Sequence, residues 1–371
     1  MNKINLTAFA VATITLSACT GGSSSNPTPT PTYPAIPTNK LPDGYTCLPS
    51  AYPSLKVTKA NNAKIAYGSN CMVSNVTDNT IKSTLSSMAV ALTHQNGRRY
   101  CTGTPLSYDA NTKTGFILTA AHCVIGEPKP ANTKITANNI TTFSEGLGYI
   151  NQINNAATNS GTTGNIDAVY VPNTYCEIPA FSYDLKNKYY FCGDLTEQYS
   201  DFAVIKVHSD TPLQLNSQIK LASSNLQLTS PSYLMALGYG KTNDDANNTN
   251  LFYITYEYFG TNSYSGETGV STIMNGYSPN GSDGYYSIIC GGDSGGGDFY
   301  WDGSNWQLVA VHSYGSAECG ALSNNYSSAF DASGDIRPFA NNITQLINND
   351  STKSGCNNVV ASANGFVCKA N

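Results

Sequence analysis

Ser294 is flanked by glycines on both sides, in the segment CGGDSGGG that spans residues 290–297. Glycine lets a backbone turn sharply and lets a substrate come close, because it carries no side chain. Successive unhindered N–H groups in such a turn can point at one spot and stabilise a developing oxyanion. The segment therefore predicts that the hydroxyl of Ser294 acts as a nucleophile.

A serine hydroxyl is a weak nucleophile, so it needs a neighbouring base, and that base needs a group to orient it. The chain has four histidines, at positions 94, 122, 208 and 312. Only His122 stands beside a cysteine, in the small-residue segment TAAHC of residues 119–123. The matching carboxylate is Asp201, directly before the apolar run of residues 202–207. Each feature alone is commonplace, but all three in this order predict one catalytic site.

The elements that must position these residues are predicted to be β-strands. The 25 tyrosines, 32 glycines and many Asn, Ser and Thr residues indicate short strands joined by polar turns. Strand-like runs begin at about residue 86 and include 88–92, 115–120, 202–207, 233–237 and 252–259. Residues 298–301 and 307–313 flank the turn Asp302-Gly303 and predict a hairpin. A single amphipathic helix over residues 336–347, with Asp335 as its N-cap, is expected to close an all-β fold.

Composition excludes several classes of partner and ligand. A chain of 371 residues can bury one large core, or two smaller cores that share an interface. The 19 lysines and arginines are scattered and the net charge is −5, so no basic patch for nucleic acid is expected. No cysteine pair has the repeated C-x-x-C spacing of a structural zinc site, and we expect no metal or cofactor.

The amino-terminal residues predict export. Lys3 and a short apolar run that ends at residue 18 have the form of a signal peptide, too short for a membrane-spanning helix. The run ends on LSAC, residues 16–19, which resembles the bacterial lipobox, where Cys19 would carry a lipid. Residues 19–45 are rich in Ser and Gly, then Pro, and form a predicted tether. We expect a cell-envelope lipoprotein of the outer membrane or cell surface, anchored to the membrane by this lipid. An ordinary secreted protein is the alternative.

Cysteine counting agrees with an oxidising compartment. The chain has 11 cysteines, and ten remain for disulfides if Cys19 is the lipid acceptor. Spacing alone leaves the connectivity open. Sequence order favours the pairs Cys47–Cys71, Cys101–Cys123, Cys176–Cys192, Cys290–Cys319 and Cys356–Cys368.

These segments resemble the chymotrypsin–trypsin family of serine proteases, in which the catalytic residues occur in the order His, Asp, Ser. TAAHC matches the histidine segment of the family, DFAVIKV at 201–207 the aspartate segment, and CGGDSGG at 290–296 the serine segment. CTGT at 101–104 resembles the family motif CGGS, and LGYG at 237–240 and SYG at 313–315 resemble two others. The likeness spans roughly residues 65–348 and implies two packed antiparallel β-barrels with the active site between them.

The resemblance implies a serine endopeptidase that hydrolyses peptide bonds of protein or peptide substrates through an acyl-enzyme. His122 would act as base and then as acid, Asp201 would orient it, and Ser294 would form the acyl-enzyme. The backbone N–H groups of Gly292 and Ser294 would form the oxyanion hole. Cys290–Cys319 would brace the walls of the specificity pocket.

Ile288 and the strand Ser313-Tyr314-Gly315 would bind the substrate side chain. Ile288 stands where trypsin-like members carry an aspartate, so a substrate Arg or Lys would find no carboxylate. Cleavage after apolar or aromatic residues is therefore expected. A Glu-specific endopeptidase is an alternative, because His312 lies on the strand where glutamyl endopeptidases carry a histidine. Ile289, in place of a small hydroxyl residue, speaks against it.

Asp293 predicts an activation step. In the members that this chain resembles, the carboxylate before the nucleophile binds a buried cation, usually an amino terminus freed by cleavage. The segment KIAYG, which begins at Lys64, looks like such a cleavage site and would free the amine of Ile65. Residues 46–64 would then be a propeptide that Cys47–Cys71 retains. The alternative is an internal cation, for instance Arg99.

Two non-catalytic functions compete with a protease. A catalytically inactive protease fold could serve as a surface binding lipoprotein, although the intact triad argues against this. A purely structural or adhesive lipoprotein would fit the tether but not the GDSG segment. The protease domain is expected to span residues 65–350. Residues 351–371 would be a tail in which Cys356–Cys368 closes a loop. The sequence predicts no oligomeric state.

Overall fold

The computed structural model describes residues 41–45, 72–94, 99–125, 135–140, 148–151, 162–175, 201–229, 232–240, 250–262, 272–275, 291–315, 331–352 and 354–370. All of them belong to one compact unit, residues 35–371. Each helix in these ranges is too short or too polar to cross a membrane.

Strands account for most of the regular structure in these ranges. They are β1 Val90–Thr93, β2 Arg99–Asp109, β3 Thr114–Thr119, β4 Gly148–Asn151, β5 Thr162–Pro172, β6 Ala203–His208, β7 Ile219–Leu221, β8 Ser232–Gly238, β9 Phe252–Asn262, β10 Thr272–Asn275, β11 Gly297–Trp301, β12 Trp306–Gly315, β13 Asp331–Asp335 and β14 Phe366–Ala370.

The first sheet has the strand order β14-β5-β4-β1-β2-β3-β6. β5 also pairs with β6, so the antiparallel pairing runs from β5 through β4, β1, β2, β3 and β6 back to β5. β14 lies outside this circuit and pairs antiparallel with β5. This sheet carries the histidine segment after β3 and the aspartate segment before β6.

The second sheet repeats this arrangement with the order β11-β8-β9-β10-β13-β12-β7. β11 also pairs with β12, and the short β7 joins the edge of β12 in parallel. Two sheets of mainly antiparallel strands confirm the predicted all-β, chymotrypsin-like fold class. The serine segment leads directly into β11.

Apolar side chains of both sheets meet in one large core. Phe116 and Leu118 of β3 lie in it together with Met235 of β8 and Phe299 of β11. Ile117, between the first two, points into a second core inside the first sheet. β3 is therefore buried on both faces, which explains the unbroken apolar run of residues 116–118 at its centre. A strand fixed in this way gives the histidine segment a rigid base.

Three α-helices accompany the sheets in the described ranges: α1 Asn79–Ser87, α2 Ala340–Asp350 and α3 Asn358–Ala363. α2 confirms the predicted C-terminal helix. The helix begins at Ala340 rather than at residue 336, and its N-cap is Phe339, so the prediction of Asp335 as the N-cap was wrong. Asp335 ends β13, and its Oδ1 accepts the N–H of Arg337 at 2.9 Å in the 3-10 turn that precedes α2. α1 and α3 were not predicted, because α1 is short and largely polar and α3 has only six residues. The side chain of Asp78 caps α1 by accepting the N–H groups of residues 80 and 81.

The predicted hairpin is confirmed as β11 and β12, which pair antiparallel around the turn at Asp302. Asp302 Oδ1 accepts the N–H groups of Ser304 and Asn305 at 2.8 and 2.7 Å, and Gly303 has a φ of +100°. A turn of this kind needs a residue that tolerates positive φ, which explains the glycine.

The structure confirms two of the predicted disulfides, Cys101–Cys123 and Cys356–Cys368. Cysteines 47, 71, 176, 192, 290 and 319 lie outside the described residues, as do Cys19 and the predicted signal peptide.

The tail after residue 350 adds the strand β14 to the first sheet, although its sequence predicted only a disulfide loop. A buried ion cluster attaches it. Lys206 of β6 is 0% exposed, and its Nζ lies 3.3 Å from Asp350 Oδ2 and 3.1 Å from the Gly355 carbonyl oxygen. Asp167 of β5 accepts the Gly355 N–H at 2.8 Å. Barrel strands and tail therefore share one polar network.

Candidate active site

His122 lies just beyond β3, in the single 3-10 turn Ala121–Cys123. The disulfide of Cys123 with Cys101 ties this turn to β2. The side chain of His122 is 27% exposed, so part of it can be reached from solvent. The histidine is therefore fixed by its backbone and reachable by its ring.

Asp201 is 1% exposed and lies directly against His122. Its Oδ1 accepts the backbone N–H of His122 at 2.9 Å, and its Oδ2 lies 2.7 Å from the ring Nδ1. The hydroxyl of Ser313 donates to the same Oδ2 at 2.5 Å. Three donors therefore converge on one buried carboxylate, which fixes the imidazole ring relative to the backbone.

Two opposing effects determine the charge of Asp201. Burial favours the neutral acid, but the neighbouring charge of His122 and the hydrogen bonds from His122 and Ser313 outweigh it, and they lower the pKa of Asp201 to about 2. The carboxylate is consequently ionised at neutral pH. An ionised Oδ2 can only accept a hydrogen bond, so it favours the tautomer with the proton on Nδ1 and leaves Nε2 as an acceptor.

Backbone contacts from both sheets hold the loop that contains Ser294. The Ser294 carbonyl oxygen accepts the N–H of Thr102 in β2 at 2.8 Å. The N–H of Gly295 donates to the carbonyl of His312 in β12 at 2.9 Å. The sulfur of Cys123 lies 3.7 Å from the Ser294 carbonyl oxygen, so the backbone of the serine adjoins the turn that carries His122.

Two glycines of this loop have positive φ, +102° at Gly292 and +83° at Gly295. A side chain at Gly295 would also meet its surroundings, because a Cβ there would lie 2.1 Å from Thr119 Oγ1 and 2.4 Å from the Thr102 carbonyl oxygen. Glycine is thus required at Gly295 both by conformation and by space. The same tight fit fixes the loop against the first sheet.

Asp293 is buried and sits against the turn that follows β8. Its Oδ1 accepts the N–H of Gly240 at 2.7 Å, and a Cβ at Gly238 or Gly240 would fall 1.9 to 2.6 Å from the carboxylate. These two glycines of the LGYG segment make room for Asp293. Tyr239 is the residue between these two glycines in the sequence. The guanidinium carbon of Arg99 lies 5.2 Å from its ring centre. Burial lowers the pKa of Arg99, and the Tyr239 charge opposes this shift.

The remaining predicted site residues fall into two groups. Ser313, Tyr314 and Gly315 lie at the end of β12, and Ser313 is buried with its hydroxyl on Asp201. Lys64, Ile65 and Ile288 lie outside the described residues, as does Ile289.

His312 is buried in the second sheet, 1% exposed. Its Nδ1 lies 3.4 Å from both Asp298 Oδ1 and Ser333 Oγ, and its ring also hydrogen-bonds to the Leu237 backbone. Burial, only partly opposed by that backbone bond, lowers the pKa of His312 to about 3. The imidazole is therefore neutral at physiological pH, although a carboxylate lies nearby.

One group of side chains in the described ranges has metal-ligating types within 4.8 Å, namely Cys101, His122 and Cys123. Both sulfurs are joined in the disulfide, so this group presents no thiolate pair to an ion.

Sequence reasoning missed one residue and one contact of the site. Thr102 contacts the serine loop through its backbone and its side chain, and the only signal was the segment CTGT, in which threonine replaces the second residue of the family motif CGGS. The contact between Ser313 and Asp201 joins residues that are 112 positions apart and left no local pattern.

Comparison with known families agrees with this geometry. The profile of the lysyl endopeptidase C-terminal domain matches residues 62–209, and the trypsin profile matches residues 180–331. No individual curated protein shows significant similarity to the chain. Fold, site and matches together define a serine-type endopeptidase, a hydrolase that acts on proteins or peptides. The two matches, which together reach from residue 62 to residue 331, support a chymotrypsin/trypsin-like serine protease.

Proposed function

We propose that Ser294, His122 and Asp201 form the catalytic triad of this endopeptidase. The observation that carries the proposal is the 2.7 Å contact between His122 Nδ1 and the buried Oδ2 of Asp201, in the turn that adjoins the Ser294 backbone. A histidine oriented by an ionised carboxylate is the base that a serine hydroxyl requires.

In the proposed reaction, His122 Nε2 takes the proton of Ser294 while Oγ attacks the carbonyl carbon of the substrate. The N–H groups of Gly292 and Ser294 stabilise the oxyanion that forms. His122 then gives the proton to the leaving amine, and the acyl-enzyme remains on Ser294. Water then attacks the ester carbonyl while His122 takes a proton from it. The resulting tetrahedral intermediate breaks its bond to Oγ, which releases the acid, and His122 returns the proton to Ser294.

The substrate side chain before the cut is proposed to be apolar or aromatic. Ile288, at the position of the trypsin aspartate, offers no carboxylate to a cation. The burial of His312 and the contacts of its ring with Asp298, Ser333 and the Leu237 backbone weigh against the Glu-specific alternative, because the ring already has partners inside the second sheet.

Cleavage after lysine is a second candidate, favoured by the match to the lysyl endopeptidase domain. That match spans residues 62–209 and therefore includes β1 to β6. It does not reach β12, which carries Ser313, or residue 288. For this reason we rank lysine specificity below apolar specificity.

Profiling of a peptide library with the purified protein tests both candidates. Apolar or aromatic residues before the cut are expected to dominate, and all cleavage should disappear in Ser294→Ala. Dominant cleavage after lysine would replace the first candidate by the second, and cleavage after Glu would restore the role of His312. Absence of cleavage by correctly folded protein would favour an inactive binding lipoprotein.

We also propose that Cys19 carries a lipid that holds the protein in the cell envelope, on the outer membrane or the cell surface. The LSAC segment and the tether of residues 19–45 support this. Cys19→Ala should move the protein from the detergent-extracted membrane fraction into the soluble fraction. Equal partitioning of both forms would favour the secreted alternative.

Activation is proposed to proceed by cleavage after Lys64, so that the new amine of Ile65 pairs with Asp293. The buried position of Asp293 supports a requirement for charge compensation there. Arg99 beside Tyr239 is the internal alternative. Amino-terminal sequencing of the active protein decides between them, since full activity without an Ile65 terminus would refute the cleavage.

The amino-terminal fragment produced by this cleavage would remain attached to the protease domain. Leu41 is buried in the main core, and the ring of Tyr45 lies 5.2 Å from that of Trp306. These contacts would retain residues 41–45 in addition to a Cys47–Cys71 disulfide. We therefore expect the fragment to leave only when reductant and denaturant are combined.

A further inference from the structure

Thr102 is a fully buried hydroxyl residue of β2 with four hydrogen bonds to three other segments of the chain. Its N–H donates to the Ser294 carbonyl at 2.8 Å, and its carbonyl accepts the hydroxyl of Thr119 at 2.7 Å. Its own hydroxyl donates to the Gly292 carbonyl at 2.8 Å and accepts the N–H of Tyr239 at 3.0 Å. One residue thus connects the serine loop, the end of β3 and the turn after β8.

The bond to Gly292 matters most, because a glycine has no side chain with which to fix its own peptide. The φ of +102° at Gly292 is a conformation that few residues other than glycine adopt readily. Holding the Gly292 carbonyl fixes the rotation of the peptide that leads to Asp293. The Gly292 N–H, the proposed donor to the oxyanion, belongs to the preceding peptide and is joined to this carbonyl through the same Cα. A fixed carbonyl therefore narrows the directions that the N–H can take at the observed φ.

The second bond of the hydroxyl links this loop to the seat of Asp293. Tyr239 donates its N–H to Thr102, and the next residue, Gly240, donates its N–H to Asp293 Oδ1 at 2.7 Å. The position of a Cβ on Gly292 would lie 3.0 Å from the Gly240 Cα, so the two backbones touch. The hydroxyl of Thr102 therefore joins the backbone at Gly292 to the backbone at Tyr239. These two segments must keep a fixed relative position for the serine loop to hold its conformation.

We propose that Thr102 is a positioning residue for the reaction: its hydroxyl holds Gly292 so that the oxyanion donor meets the transition state. The proposal rests on the proposed function of the Ser294 loop. It assigns to this side chain a role in stabilising the transition state rather than in binding the substrate.

Thr102→Val tests the proposal, because valine keeps the shape of threonine and removes only the hydroxyl. We expect kcat to fall about 10- to 100-fold, less than the loss of a whole oxyanion donor, while KM changes about twofold or less. Thr102→Ser restores the hydroxyl and should recover most of the lost kcat.

Thr104→Val is the matched control. Thr104 lies two residues further along β2 and is equally buried, and its hydroxyl has no hydrogen-bond partner among the described residues. The same chemical change there should leave kcat and KM unchanged. If Thr102→Val does not fold, Thr102→Ala replaces it, with the same expected separation of kcat from KM.

A peptide aldehyde provides a second readout, since its adduct with Ser294 places an oxyanion in the hole. Its affinity should fall in Thr102→Val by about the same factor as kcat, whereas the affinity of the matching peptide alcohol, which forms no adduct and carries no oxyanion, should not. Equal kinetics in Thr102→Val and Thr104→Val would refute the inference, as would a rise in KM alone. Inactive wild-type protein, or activity that persists in Ser294→Ala, would instead refute the proposed function.

Discussion

Replacing Asp201 by asparagine exchanges one carboxylate oxygen for an NH₂ group and keeps the size of the side chain. The native carboxylate accepts hydrogen bonds from the His122 backbone N–H at 2.9 Å, from the His122 Nδ1 at 2.7 Å and from the Ser313 hydroxyl at 2.5 Å. An amide has a single acceptor oxygen. One side of the amide in Asp201→Asn would therefore present a donor where the native protein needs an acceptor.

The geometry decides which contact changes. The backbone N–H of His122 can only donate, so the amide oxygen should remain on it and the NH₂ group should face Nδ1. The imidazole would respond by moving its proton to Nε2, where it can no longer accept the proton of Ser294. For a residue in this role the loss of kcat is about 10⁴-fold, or about 5 kcal/mol in activation free energy.

The assay compares kcat and KM on one chromogenic peptide at about pH 7.5, above the ordinary pKa of histidine. Asp210→Asn is the matched control, because Asp210 is exposed and its carboxylate pairs with the exposed Lys113. It should retain full activity. A loss of kcat below about tenfold in correctly folded Asp201→Asn would refute the assignment of Asp201 as the orienting carboxylate.

Three further predictions concern the architecture around the site. Gly295→Ala should destabilise the protein by about 3 kcal/mol in urea unfolding and abolish activity, because its Cβ would meet Thr119 Oγ1 at 2.1 Å; native stability would contradict this. Lys206→Met should cost about 3 to 5 kcal/mol, since it leaves buried Asp350 without its cation; a change below about 1 kcal/mol would refute the role of the cluster. Folding lowers the pKa of Asp201 from 3.8 to about 2, so its contribution of about 2 kcal/mol is complete above about pH 4 and disappears as the pH falls through about 2. The free energy of unfolding should be measured against pH in Ser294→Ala and in the double variant that also carries Asp201→Asn. Only the protein that keeps Asp201 should lose this contribution in acid, and equal acid sensitivity of the two would contradict the prediction.

The local sequence predicted those parts of the fold whose constraints are local. The apolar residues 116–118, shortly before His122, lie in β3, which is buried on both faces, and this left a clear signal. The hairpin at Asp302 is determined by turn residues that are adjacent in sequence. The serine and histidine segments could be recognised because glycines, alanines and cysteines surround Ser294 and His122. The aspartate segment could be recognised because Asp201 directly precedes an apolar run.

Contacts between distant segments left no such signal. β14 pairs with the far-removed β5, and its short, partly polar sequence FVCKA gave no reason to expect a strand. The hydroxyl of Thr102 donates to the carbonyl of Gly292, which is 190 positions away in the sequence. No local sequence pattern indicated this hydrogen bond. Ser313 was assigned to the substrate from its motif, but only the folded chain brings its hydroxyl onto Asp201.

The central claim is that Ser294 is the activated nucleophile of a serine endopeptidase. The most direct measurement is covalent labelling of the purified protein with a fluorophosphonate, followed by mass spectrometry of its peptides. We predict one adduct per molecule, located on Ser294, and a parallel loss of peptidase activity. Peptidase activity that survives full treatment, or an adduct on a different serine, would contradict it.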